Sequence, residues 1–269
     1  MDGYPRSVTL CVRRPVERSH VKRTEPPVPG RSIRTQVAEL KTRKNNPHKL
    51  SRMSTADQAL NPLKRLATLS PMSGRYNLSI SHQHRFVWFR VAKNGTRTLL
   101  RSMALSGVRL DVDQAYRVRY SIRAYREYYK FAVARNPWDR LVSCWHGRVL
   151  RKNAFKFPEK YYRRMRDFSA FVDHVAGHDL ENCDAHIALQ SSLIDLNELD
   201  YLIRMESYEE DIAHVFRTIG IDGFEISSDN RTNDRRYYEE YYNDETRDKV
   251  GRIYEKDVRL FGYHYGQSV

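Results

Sequence analysis

Cysteine is scarce in this chain: only Cys11, Cys144 and Cys183 occur among 269 residues, and no two form a CxxC pair. That excludes a disulfide framework and a zinc site of ordinary spacing, and it fits a reducing compartment. Long apolar runs are missing too. No stretch of eighteen or more apolar residues exists, so no segment is expected to span a membrane. The first residues, MDGYPRSVTLCVRRPVERSH, lack both an apolar core and a small-residue cleavage site, so a secretory signal is not expected. Their Arg content suits a transit peptide, but Asp2, Glu17 and the prolines speak against one. There is no internal repeat, no GxxxxGK[ST] loop, and no RNP, zinc-finger or helix-turn-helix signature. Specific nucleic-acid recognition is therefore not expected. Acidic residues are the minority charge, 33 against 47 Lys and Arg, for a formal net charge of +14. Such a balance favours anionic partners: nucleotides, acidic glycans, nucleic acid held non-specifically, or anionic lipid.

What is present divides the chain in two. Residues 1–75 are rich in Arg, Lys, Pro, Ser and Thr and poor in apolar periodicity, which predicts a basic, mostly disordered extension with one short helix near Thr55–Leu66. Residues 76–269 read as an α/β domain. Short β-rich runs at Arg85–Val91, Phe131–Ala134 and Tyr201–Arg204 alternate with helical patterns. The helices are expected at Thr96–Leu105, from Pro137 onward, at Phe168–Val175, from Tyr208 to a stop at Gly220, and as one last helix from about Asp244 to Phe261. Strand–helix alternation predicts a three-layer fold, a parallel sheet flanked by helices.

Two segments carry chemistry. In Val91-Ala-Lys-Asn-Gly-Thr-Arg-Thr98 a strand ends, Gly95 permits a tight turn, and a helix begins. The N–H groups at such a start and the positive end of the helix dipole suit a phosphate, with Lys93 as a mobile cation and Thr96 and Thr98 as hydroxyl donors. The alternative is an ordinary strand-to-helix turn with a solvated lysine. In Arg135-Asn-Pro-Trp-Asp-Arg-Leu-Val-Ser143 a guanidinium leaves a strand end and a serine follows two helical turns later. Arg135 suits bidentate phosphate binding; the alternative is a structural pair with Asp139. Both segments fall at carboxyl ends of strands, where open α/β sheets bind ligands. Two separate phosphate sites suit a nucleotide phosphorylated at both 5′ and 3′ positions.

Ala92–Thr98 resembles the 5′-phosphosulfate loop of sulfotransferases that use the nucleotide sulfate donor PAPS, and Arg135–Ser143 resembles their 3′-phosphate segment. The likeness is greatest to the carbohydrate branch, with its Golgi chondroitin and HNK-1 enzymes and bacterial relatives. It extends to Asp184–Gln190, Tyr201–Glu206 and Tyr241–Tyr263. Ala92 stands where the family has Pro, and Asn94 where Thr, Ser or Val is usual. The resemblance implies a P-loop-NTPase-like sulfotransferase fold and metal-free, in-line transfer of a sulfuryl group from PAPS to a hydroxyl or amine, on a glycan or glycolipid acceptor. It implies that Lys93 stabilises the leaving phosphate, that Asn94, Gly95, Thr96, Arg97 and Thr98 surround the 5′-phosphate, and that Arg135 and Ser143 hold the 3′-phosphate. Arg231, in the polar loop Asp229–Thr232, is the expected cation of a segment closing over the nucleotide.

A base must take the acceptor proton. His186, after the acidic loop Glu181–Asp184, is the first candidate and Glu206 the second. His82 and His84 precede the first strand at the wrong end, and His146 is expected to pack or face solvent. The tyrosine runs Tyr125–Tyr129 and Tyr237–Tyr242 are expected to pack on helices rather than stack on a base. Arg117, Arg119, Arg123 and Arg126 read as a solvated basic face or as an attractor for an acidic acceptor. Two rival functions stand beside this one: a P-loop-type nucleotide kinase, which needs a Lys after its glycine loop, and a non-catalytic module binding anions or nucleic acid. A bacterial cytoplasm is the expected location; a Golgi lumen would need a longer N-terminus, and peripheral membrane contact stays open.

Overall fold

The structure, a computed structural model, describes residues 72–226 and 237–267. The predicted basic extension, its short helix and the Asp229–Thr232 loop with Arg231 lie outside the described residues, apart from the extension's last few positions.

Three strands are where the apolar runs put them: β2 (Phe86–Phe89), β4 (Tyr129–Ala134) and β5 (Tyr201–Arg204). They pair in parallel, β2 with β4 and β4 with β5. Two further strands, β1 (Tyr76–Ser81) and β3 (Val112–Val118), extend the sheet on the β2 side in the order β3-β1-β2-β4-β5. Both new pairings are antiparallel. The expected all-parallel sheet is thus corrected to a mixed one, because the chain reaches β2 through a hairpin from β1 rather than through a crossover helix.

The parallel strands read as continuous apolar runs because both their faces are covered. Phe86, Trp88, Phe131, Val133 and Ile203 point to one side, onto α1 (Thr96–Leu105) and onto Ile212, Val215 and Phe216 of the helix after β5. Val87, Phe89, Ala132, Ala134 and Leu202 point to the other, onto Ile194, Leu199, Leu260 and Phe261. A second helical cluster gathers around Trp138, Leu141, Trp145, Phe171, Val172 and Val250. It joins α2 (Pro137–Cys144), α3 (Glu159–Met165), α4 (Phe168–Ala176) and α6 (Asp244–Ile253), with α5 (Tyr208–Thr218) lying between them in sequence. Gly220, at φ 71°, follows α5 in the left-handed conformation that ends it as expected.

Three details depart from the sequence reading. The single last helix is two, α6 and α7 (Glu255–Phe261), divided at Tyr254, whose buried hydroxyl donates to Ile187 O at 2.6 Å. α2 runs on into a π-helical turn, Trp145–Leu150. The tyrosine runs are not themselves α-helical, but the second packs on helices as expected, with Tyr242 on Phe168 of α4 at 4.9 Å between ring centres. Tyr125 and Tyr128 sit in turns around Tyr120 and His82, and Tyr238–Tyr241 is a 3₁₀ turn. Arg117, Arg119, Arg123 and Arg126 are exposed. Among the described residues no helix is long and apolar enough to cross a membrane, and none form a cluster that could hold a metal ion.

Candidate active site

The two phosphate-type segments leave the carboxyl ends of β2 and β4, adjacent parallel strands. They are therefore neighbours, and side chains tie them together. The backbone of Lys93 is left-handed, at φ 75°, a conformation that disfavours any residue but glycine. It is held from both sides. Arg140 Nε donates to Ala92 O at 3.0 Å, and Arg135 Nη1 donates to Lys93 O at 3.0 Å. One residue on, the buried Asn94 side chain donates to Val133 O at 2.6 Å and to Gln190 Oε1 at 2.7 Å. The structure thus turns the Asn94 amide inward as an anchor of the loop, not outward toward a ligand.

Gly95 then opens α1 at φ 67°, with no side-chain cap and no acidic residue in the first turn. A Cβ there would meet Met205 Sδ at 3.0 Å and Tyr208 Cε2 at 3.1 Å, so glycine is required for space as well as for conformation. The positive end of the α1 dipole is left uncompensated by carboxylate in that turn, the local condition for binding an anion. Thr96 Oγ1 donates weakly back to Val91 O at 3.4 Å, Thr98 is buried, and Arg97 is exposed. The ammonium of Lys93 lies against the π-turn, where a Cβ added to Gly147 would be only 2.7 Å from Nζ.

For Arg135 the structural pair with Asp139 is present. Its Nε pairs with Asp139 at 2.5 Å, and the pair is nearly enclosed, at 11% and 6% side-chain exposure. Nη1 is used by Lys93 O, and Nη2 makes no hydrogen bond among the described residues. Its peptide is clasped by the buried Gln190, whose Oε1 accepts from Arg135 N at 3.1 Å and whose Nε2 donates to Arg135 O at 2.9 Å. Gln190 is fixed in turn by Asp257, a buried carboxylate on α7 that accepts from the N–H groups of Gln190 at 2.7 Å and Ser191 at 3.0 Å. Asn136 caps α2 by accepting from Trp138 N at 3.1 Å. Ser143, two turns on, is half-buried.

The base candidates differ. His186 Nδ1 meets Asp184 Oδ1 at 2.7 Å, and the same oxygen accepts from His186 N at 2.8 Å. A carboxylate on one ring nitrogen orients the imidazole and leaves the other nitrogen for proton transfer. The His186 bond holds the Asp184 carboxyl at about 2, below its ordinary 3.8. A lowered carboxyl stabilises the fold above its ordinary value, and that contribution is lost as pH falls through the folded value. Acid titration followed by near-UV circular dichroism is expected to show stability falling as pH drops from 3.8 towards about 2, and less of this fall in Asp184→Asn.

Glu206 is engaged differently. Its oxygens accept from Asn136 N at 3.2 Å and from the Tyr263 hydroxyl at 3.1 Å, and burial raises its carboxyl above the ordinary range. That geometry braces the Arg135 segment. His82 and His84 lie in the β1–β2 hairpin at the opposite end of β2, with His82 on Tyr128 and His84 on Ile219 O. His146 packs edge-on against Trp145 and Tyr241. Burial pushes the Cys144 thiol up to about 12 against the pull of nearby Lys93 and Arg140, so it is protonated and inert. A surface cleft of about 500 Å³, lined by Trp138, Arg247, Arg252 and Tyr265 among others, contains none of the expected site residues.

A family model, described as the sulfotransferase family, matches residues 76–264. The chain belongs to the sulfotransferase family. The match spans both phosphate-type segments, the His186 turn, Gln190 and Asp257, so every side chain of this network falls inside it. Comparison with curated proteins and with solved structures gives no significant match. Membership supports sulfuryl transfer in general and favours it over the nucleotide-kinase and non-catalytic alternatives. The residues of this sulfotransferase that the sequence did not single out are Arg140, Gly147, Gln190 and Asp257. Arg140, Gln190 and Asp257 act on backbone groups distant in sequence, and Gly147 makes room for the Lys93 side chain. The one signal available was polarity at helical positions otherwise filled by buried residues, as with Arg140 beside Leu141.

Proposed function

We propose that the protein transfers a sulfuryl group from PAPS to a hydroxyl or amine of an acceptor, a glycan or glycolipid, by in-line displacement. The observation that carries this reading is that the Lys93 loop and the Arg135 segment leave adjacent parallel strands and are joined by the bond from Arg135 to the carbonyl of Lys93. In it, residues 76–269 form the catalytic domain. The α1 N-terminus with Gly95, Thr96, Arg97 and Thr98 holds the 5′-phosphate, and Asn94 fixes the loop from behind. Arg135 and Ser143 hold the 3′-phosphate, with Arg231 as a further cation.

Chemically, the acceptor oxygen or nitrogen bonds to sulfur, and the bond from sulfur to the 5′-phosphate oxygen breaks with its electron pair on that oxygen. Lys93 stabilises the charge that develops there. His186, oriented by Asp184, takes the acceptor proton. Glu206 is the less suited base because both its oxygens already accept hydrogen bonds. The carbohydrate acceptor rests on branch resemblance alone.

The test is incubation with ³⁵S-labelled PAPS and a panel of desulfated chondroitin, heparosan, a glycolipid and small alcohols. Label in one acceptor class is expected; label in none of them counts against a carbohydrate acceptor. Calorimetry separates the donor claim from the acceptor. Adenosine 3′,5′-bisphosphate should bind at least about tenfold more tightly than AMP, because hydrogen bonds to a charged phosphate contribute about 1.5–3 kcal/mol each. Equal affinities would remove Arg135 and Ser143 from 3′-phosphate binding.

A further inference from the structure

Arg140 is 2% exposed, and among the described residues it forms no salt bridge. Its guanidinium is instead spent on three peptide carbonyls: Nε on Ala92 O at 3.0 Å, Nη2 on Ala185 O at 2.8 Å and Nη1 on Ala188 O at 2.7 Å. A leucine or methionine would fill similar volume without taking a charge out of water, so packing alone does not account for an arginine here. Two of these carbonyls have a particular place. Ala92 C=O belongs to the peptide bond leading into Lys93, and Ala185 C=O to the one leading into His186. We infer that Arg140 is a positioning residue that fixes the Lys93 loop and the His186 turn relative to each other, so that nucleotide binding at the first stiffens the second.

The physical basis is the rigidity of the fork. A guanidinium is planar, with donors in fixed directions, so a rotation of one peptide plane is felt by the other. The His186 turn has its own internal bonds, Ile187 N to Asp184 O at 3.0 Å and Ala188 N to Asp184 O at 2.9 Å, so it moves as one unit when its carbonyls are pulled. The Lys93 side is pinned at its other carbonyl by Arg135. Neither segment shares a strand or helix with the other. At its far end the 184–190 stretch reaches the loop through the Asn94–Gln190 bond and through the Gln190 clasp on Arg135, which bonds Lys93 O; at the His186 end it is joined to the loop by Arg140.

This inference rests on the donor-loop reading above, and the test separates the two. Hydrogen exchange is measured on the full chain, wild type and Arg140→Lys, with and without adenosine 3′,5′-bisphosphate. Arg140→Ala would strand three carbonyls and risk unfolding; lysine keeps the charge but loses the fork. In wild type the bisphosphate should slow exchange both at residues 93–98 and at 184–188, the latter by roughly tenfold, within the usual 5–150-fold range of coupling between sites. In Arg140→Lys the slowing should persist at 93–98 and vanish at 184–188. A merely structural role would raise exchange across β4 as well, with or without the nucleotide. Slowing at 184–188 that survives in Arg140→Lys overturns the inference and leaves the donor loop standing. So does slowing confined to 93–98 in wild type, which needs no variant to fold. No slowing at 93–98 in wild type overturns the donor-loop reading and the inference with it.

Discussion

Lys93→Ala is expected to lower turnover by about 10²–10³-fold, the usual cost of removing one preorganised donor to a developing negative charge, while leaving the fold and its melting temperature nearly unchanged. The separation is expected because the backbone at this position does not depend on the side chain. Its left-handed conformation is imposed through carbonyls, by Arg140 on Ala92 O and Arg135 on Lys93 O, and through Asn94 on Val133 O. Alanine and lysine meet the same steric penalty at φ 75°, so the exchange adds no strain. Nor does it open a cavity, since the ammonium lies along the π-turn rather than inside an apolar cluster. Single-turnover transfer from labelled PAPS, paired with thermal melting, checks both halves. Near-normal turnover removes Lys93 from the mechanism. A collapse in melting temperature shows instead that the ammonium holds the π-turn in place.

The parts of the fold visible in the sequence are those where burial is uniform. Phe86–Phe89, Phe131–Ala134 and Tyr201–Arg204 are covered on both faces, so they stand out as apolar runs, and the boundaries of α1 match the helical pattern residue for residue. The strands β1 and β3 do not stand out, for two different reasons. In Tyr-Asn-Leu-Ser-Ile-Ser81 the serines at 79 and 81 are as buried as the apolar residues, and Ser79 is satisfied by a bond to Asp113 O that lies 34 positions away. β3 is an edge strand, half exposed, with irregular register against β1, so no alternation survives to be read. In β1 the alternation of Tyr76, Leu78 and Ile80 with polar residues is present although those serines are buried, whereas in β3 the partners that set the register are distant in sequence.

The same distinction runs through the site. Lys93 and Arg135 are legible because a cation at a strand end has a chemical meaning by itself. The alternative offered for Arg135, a bridge to Asp139, turns out to be part of the same arrangement. The pairing holds Nε and Nη1 in place and leaves Nη2 facing no protein acceptor among the described residues. A structural role and a binding role are therefore not exclusive for a guanidinium, whose five donors can be divided between them. Gln190 and Asp257 are illegible for the opposite reason. An uncharged amide after Leu189 and an acid in an exposed-looking helix acquire their meaning only when α7 folds back and Asp257 caps the turn that carries Gln190.

Gly147 makes the strongest demand of this kind, and it supplies the second large effect. Helix propensity alone favours alanine over glycine there by about 1 kcal/mol, so Gly147→Ala should leave the protein at least as stable as before. Its Cβ, however, would stand 2.7 Å from the Lys93 ammonium, well inside contact distance. What gives way is the far end of a flexible side chain, so the backbone keeps its place and the ammonium moves. Misplacing a reacting group by about 1 Å costs on the order of 10²-fold in rate, and Gly147→Ala should lose turnover to about that extent. The π-turn is what brings the glycine to this point, in keeping with the habit of such turns to occur at functional sites. Kinetics with labelled PAPS and a melting curve decide the matter together. Reduced turnover with an unchanged or raised melting temperature is the expected pair. Full turnover in Gly147→Ala would mean that the ammonium works from a position other than the one it holds against the π-turn.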